Sequence, residues 1–262
     1  MCKNIPDLRG LKQAEKMMKL KVYADRMSQP SRAVILFCKL NGIQFEEIRI
    51  DLSKRQHLTK EFSDVNPLKK VPAIVDGRLN LFESHAILIY LACAFPGVAD
   101  HWYPGDLSKR SKIHSVLDWH HSNLRQGAAG VVFNSVLAPA FRLPLDVAAA
   151  ARAEKVILSS LKTLESVWLQ GNGKFLLAGN QPSIADLSLV CELMQLEILN
   201  EQDRKRILDP FKKVQEWIAN TRTFTSPHFD EVHSVLIRAK AKFQTRDKHE
   251  TASLSDTIRS KM

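Results

Sequence analysis

Long apolar runs are missing from this chain of 262 residues. The longest, Ala86 to Phe95, has ten residues, against the roughly 20 that a membrane-crossing helix needs. Cysteine is scarce. Cys2, Cys38, Cys93 and Cys191 lie far apart and form no Cys-x-x-Cys pair, which argues against a disulfide framework or structural zinc and for a reducing compartment. The N-terminus lacks an apolar core and mixes its charges, so neither a secretory signal nor a transit peptide is read there. Low-complexity tracts, repeats at about 20–50-residue spacing, zinc-finger spacing and basic patches interleaved with aromatics are also absent, and nucleic acid is not an expected partner.

What is present is ordinary globular composition, 45% hydrophobic and 25% charged, enough for one or two domains. Lys and Arg exceed Asp and Glu by 10. The excess is concentrated at the ends: +2 over residues 1–17, +4 over 238–262, and only +4 over the 220 residues between. Residues 1–17 read as a loose extension and 244–262 as a flexible basic tail.

The first third alternates strand and helix patterns. Lys19–Ala24 reads as a strand, Ser31–Leu40 as a helix stopped at Asn41-Gly42, and Phe45–Asp51 as a second strand. That order predicts a right-handed βαβ unit with a parallel pair. Residues 57–65 make a short helix. Val71–Val75 and Arg78–Phe82 then form a hairpin about Asp76-Gly77, where glycine accepts positive φ. Glu83-Ser84 opens an apolar helix closed by Pro96-Gly97. Beyond 105 only helical patterns follow, at about 107–126, 145–169, 183–199, 210–221 and 228–243, with Gly127, Gly130, Pro139 and Pro144 as punctuation. The expected fold is α/β over 18–97, a linker at 98–106, and an all-α domain over 107–243.

Several short features have chemical potential, each with a plainer reading beside it. Ser28 stands between the first strand and first helix, where α/β folds commonly bind ligands; a lone serine there is more often a cap. Val71-Pro72 precedes the third strand, and a cis bond there would turn the Val71 backbone outward to pair with an extended peptide; the plain reading is a strand-start proline. Glu83-Ser84 offers the unpaired donors of a helix N-terminus to a carboxylate, or is simply an N-cap. His57 and Lys70 read as loop cations. His114, Asp118 and His121 share one helical face, but without a second ligand cluster no metal is expected. Cys38 and Cys93 fall within apolar patterns and read as core.

Together these pieces resemble the glutathione transferases over about residues 18–240. Ser28-Gln29-Pro30-Ser31-Arg32-Ala33, Asp51-Leu52, Gln56-His57, Glu61-Phe62, Asn66-Pro67 and His101-Trp102-Tyr103-Pro104 are similar to the theta class, in a plant-like form. Pro182-Ser183-Ile184-Ala185-Asp186 resembles the family's buried capping box, a folding device. The resemblance implies a thioredoxin-like first domain and a homodimer. It implies that Ser28 hydrogen-bonds the glutathione sulfur and that Arg125 lies at the active-site mouth. Val71, with Pro72, would meet the cysteinyl part of glutathione, and Glu83 and Ser84 the γ-glutamyl end. His57 and Lys70 would meet the glycyl carboxylate, with Leu58 standing where some relatives carry a second cation. Glutathione would be co-substrate, with no cofactor and no metal. The second substrates would be hydrophobic electrophiles or organic hydroperoxides, a detoxification role.

Two rivals stand beside this reading. A non-catalytic glutathione-transferase-like interaction module keeps the core but loses the serine and the tripeptide contacts, all present here. A thiol transferase would have cysteine where Ser28 stands. The final Ser260-Lys261-Met262 resembles the peroxisomal Ser-Lys-Leu address, so the peroxisome is expected, with the cytoplasm as alternative and the nucleus left open.

Overall fold

The computed structural model describes residues 19–259, with side chains described to 243 except that of Ala140. The expected extension over 1–17 and the tripeptide Ser260-Lys261-Met262 lie outside the described residues. The chain divides into two compact units, one ending at Val98 and the other beginning at Ala99, inside the stretch that the sequence marks as linker.

In the first unit, β1 (Leu20–Ala24), α1 (Gln29–Leu40) and β2 (Phe45–Arg49) form the βαβ unit, and β1 and β2 pair in parallel. A 3₁₀ turn at Gln56–Leu58 leads into α2 (Lys60–Val65), capped by the Thr59 side chain accepting from the Phe62 N–H. The antiparallel β3 (Ala73–Asp76) and β4 (Leu79–Phe82) follow, joined by Gly77-Arg78 with Gly77 at φ 59°. The sheet order is β2-β1-β3-β4. Then α3 (Ser84–Ala94) buries Ile87, Leu88 and Leu91 on one stripe, the i, i+1, i+4 face of a core-packed helix. Cys38 is buried as expected, and burial raises its thiol pKa to about 12, so it is inert at neutral pH. Cys93 is exposed, which corrects its reading as core: at helical spacing it falls on the face of α3 opposite the buried Ile87, Leu88 and Leu91 stripe.

The second unit is helical: α4 (Leu107–Ser122), α5 (Leu124–Val132), α6 (Val147–Thr163), α7 (Ile184–Leu193), α8 (Glu201–Leu208), α9 (Lys212–Phe224) and α10 (His228–Arg259). Every residue of α7 is buried. Its start is the expected capping box. Asp186, fully buried, accepts from the Ser183 N–H at 2.7 Å and hydroxyl at 2.9 Å, the Leu176 N–H at 2.9 Å and the Trp217 indole at 2.8 Å. Desolvation pushes its carboxyl above the ordinary aspartate value against the pull of those four bonds.

Three boundaries differ from expectation. The helix read as 107–126 breaks at Asn123, and Gly127 and Gly130 sit inside α5, which runs on through a π-helical turn at Phe133–Leu137. A Cβ on Gly127 would stand 2.5 Å from the Ile157 nitrogen, and one on Gly130 2.8 Å from the Ala153 Cβ; these glycines admit α6 and do not end a helix. The charged helix α8 has no counterpart in the sequence reading. The last helix continues past 243 to Arg259. No helix among the described residues is long and apolar enough to cross a membrane.

Candidate functional site

Register gathers most of the candidates at one end of the sheet. Ala24, last in β1, pairs with Arg49, last in β2. Tyr23 pairs with Ala73, first in β3, and Ala73 with Phe82, last in β4. The segments leaving β1, β2 and β4 and the segment entering β3 therefore emerge at the same sheet end. They carry Ser28, His57-Leu58, Lys70-Val71-Pro72 and Glu83-Ser84.

Ser28 is the N-cap residue of α1, with extended backbone at φ −78° and ψ 125°, and is 9% exposed. Its side chain makes no capping hydrogen bond. The cap position is thus held while the hydroxyl stays uncommitted, and Pro30 in the first turn removes one amide that would compete for it. The turn before it is fixed from within: the Ser28 N–H donates to the Asp25 carbonyl at 2.9 Å, and buried Arg32 donates from Nη1 to the carbonyls of Arg26 at 2.9 Å and Met27 at 3.1 Å. Arg26 in turn pairs with Glu47 of β2 at 2.7 Å.

The Val71–Pro72 bond is cis. Val71 forms no backbone hydrogen bond among the described residues, while its side chain packs on Ile50, Phe62 and Ala73. A buried Asn66 shapes the approach, donating to the Lys70 carbonyl at 2.7 Å and accepting from the Leu68 N–H at 2.9 Å. Lys70 is exposed.

Glu83 caps α3 at φ 69° and ψ 114°, left-handed territory that costs a non-glycine residue about 1–3 kcal/mol and collects at functional sites. Its side chain makes no capping bond and is exposed, while Ser84 is 9% exposed. The helix N-terminus behind them presents the positive dipole end.

His57 needs correction. Burial first, and then the Arg55 charge, hold its imidazole below the ordinary value of 6.5. At neutral pH the ring is a neutral hydrogen-bond partner and not the loop cation that the sequence suggests. Its Nδ1 is buried without a hydrogen-bond partner. Leu58 is 48% exposed.

Arg125 belongs to the second unit and has a partner that the sequence did not reveal. Glu192 of α7 is fully buried and accepts from Arg125 Nη1 at 3.1 Å; His120 Nε2 lies 3.4 Å from the same oxygen. The pairing crosses 67 residues of chain, and a glutamate in an apolar helix was the only available signal. Of the residues considered as a metal ladder, His114 bonds the Tyr103 hydroxyl at 2.9 Å. No group of three or more potential metal ligands occurs among the described residues.

Comparison with known proteins converges on one family. Residues 18–93 match the glutathione S-transferase N-terminal domain and residues 147–220 the C-terminal domain. Glutathione S-transferase T1 of Arabidopsis thaliana is 69% identical over 237 residues, covering 90% of this chain and 97% of that protein. Human glutathione transferase theta-2, in complex with glutathione and an unknown ligand, superposes with a TM-score of 0.79 at 35% identity, covering 87% of this chain and 91% of that one. A human theta-class enzyme in complex with the glutathione conjugate of 1-menaphthyl sulfate gives a TM-score of 0.79 at 34% identity, over 88% and 92% of the two chains.

Proposed function

Since this chain belongs to the theta class of the glutathione S-transferases, we propose that it is a serine-type transferase whose Ser28 hydroxyl stabilises the thiolate of bound glutathione. The single observation that carries this reading is the uncommitted hydroxyl of Ser28 at a helix N-terminus. A free thiol titrates near ~8.5, so only a few per cent is thiolate at neutral pH. Lowering that value by ~2 units takes about 2.7 kcal/mol of differential interaction. A hydrogen bond to a charged acceptor contributes roughly 1.5–3 kcal/mol. Ser28 is therefore sufficient in magnitude, with the helix dipole adding to it, and needs no role as a nucleophile.

The remaining contacts follow from the available groups. The Val71 N–H and C=O pair with the cysteinyl backbone of glutathione. The N-terminal end of α3, with Ser84 and Glu83, holds the γ-glutamyl end. The glycyl carboxylate takes a hydrogen bond from neutral His57 and the charge of Lys70. In conjugation the thiolate forms a carbon–sulfur bond as the leaving group departs with its electron pair. With an organic hydroperoxide the thiolate takes the distal oxygen as the O–O bond breaks, and the alkoxide takes a proton from water to leave as the alcohol; the glutathione sulfenic acid formed is converted by a second glutathione to the disulfide and water. The second domain supplies the hydrophobic pocket, the working form is a homodimer, and Ser260-Lys261-Met262 directs the protein to peroxisomes.

Retention on immobilised glutathione, followed by rates with an aryl halide, a benzylic halide and cumene hydroperoxide, tests the reading. Retention with turnover of at least one of these supports the enzyme. Retention without turnover, or no retention, favours the interaction module.

A further inference from the structure

Asp25 follows the last residue of β1 and is bonded to two loops at once. Its Oδ1 accepts the Met27 N–H at 2.9 Å, inside the turn that delivers Ser28. Its Oδ2 accepts the Leu52 N–H at 3.0 Å, across 27 residues of chain. Its carbonyl accepts the Ser28 N–H at 2.9 Å. On the far side of this bridge, the Gln56 side chain accepts the Asp51 N–H at 2.7 Å and the Gln56 N–H donates to the Asp51 carbonyl at 3.1 Å. Residues 51–56 are therefore a closed turn leading directly into His57. An ionised carboxylate is acceptor-only and offers two oxygens, whereas an amide of the same size offers one.

We propose that Asp25 is a positioning residue that locks the Ser28 loop to the His57 loop, so that thiol activation and recognition of the glycyl end are set together. The inference rests on the roles given above to Ser28 and His57. Asp25 itself touches neither substrate nor reacting atoms; it acts by fixing where the hydroxyl and the imidazole stand.

The test uses the full-length protein and two readouts. Thiolate absorbance of bound glutathione against pH reports the Ser28 side. Affinity for S-methylglutathione, which has no ionisable thiol, reports the His57 side. Asp25→Asn leaves one backbone N–H facing an amide NH₂. It is expected to lower the thiolate fraction at pH 7 and to weaken S-methylglutathione binding, each by about tenfold, the value of one such bond. Ile74→Val, a truncation at a fully buried site in β3, is expected to lower Tm and move neither readout, which separates positioning from general stability. If Asp25→Asn does not fold, Asp25→Ser keeps an acceptor for Met27 and cannot bridge to Leu52, and is read in the same two ways. The proposal is overturned if the Asp25 variant moves neither readout, or only one, while Ser28→Ala moves the bound-thiol pKa. If Ser28→Ala leaves that pKa unmoved, it is the reading of the site itself that fails.

Discussion

Ser28 and Arg125 differ in how much of their setting a sequence discloses. The place of Ser28 follows from local signals: a strand end, a proline in the next turn and a helix pattern. What the sequence leaves open is whether the hydroxyl is consumed as a cap, and the structure answers that it is not. Arg125 has no local signal, because its partner Glu192 arrives from another helix. That pairing changes what a substitution there means. Arg125→Ala is expected to reduce kcat by about 10²-fold, with a smaller change in the KM for glutathione, if its charge acts on developing negative charge. It also leaves the fully buried Glu192 with His120 alone, so a loss of about 1–3 kcal/mol in stability is expected with it. Arg125→Lys retains the charge beside Glu192 and should restore stability more fully than turnover, because lysine lacks the planar fork. A raised KM with intact kcat would make Arg125 a substrate-positioning residue. His57 shows the converse limit. Its identity was legible, and its neutral state was not, because desolvation depends on what folds over it.

At the level of elements, the first unit was legible almost throughout because its strands are short, its turns carry glycine chemistry, and its helices have clear stops. The capping box of α7 was likewise visible as Ser183 and Asp186 at the right spacing. In the second unit glycine has two possible meanings. Gly127 and Gly130 break helices by propensity, yet here they are close-approach positions against α6. The sequence gives no indication of which helix will pack there. Gly127→Ala gains about 1 kcal/mol of helix propensity but places a Cβ against the Ile157 backbone, which cannot rotate away. A net loss of about 1–3 kcal/mol is expected, the usual cost of overpacking. A urea midpoint equal to or above that of the wild type would show that α5 and α6 can separate freely. The helix α8 has no apolar period to reveal it, because five of its eight residues from Glu201 to Leu208 are charged and only Ile207 and Leu208 are buried.

The whole molecule combines a thioredoxin-like unit with a helical unit, and Ser260-Lys261-Met262 is proposed as an address at its C-terminal end. Deleting Ser260-Lys261-Met262 from an N-terminally tagged protein is expected to move it from peroxisomes to the cytosol with activity unchanged; punctate localisation that survives the deletion would contradict the address. The central claim is that a hydroxyl, with no metal and no nucleophilic side chain, makes glutathione reactive. It is tested most directly by the pKa of the glutathione thiol bound to Ser28→Ala, followed by thiolate absorbance. The variant is expected still to bind glutathione, its bound-thiol pKa to rise by about 2 units toward the free value, and turnover at neutral pH to fall by ~10²-fold and partly recover at higher pH. A bound-thiol pKa unchanged from the wild type, with turnover intact, would contradict it.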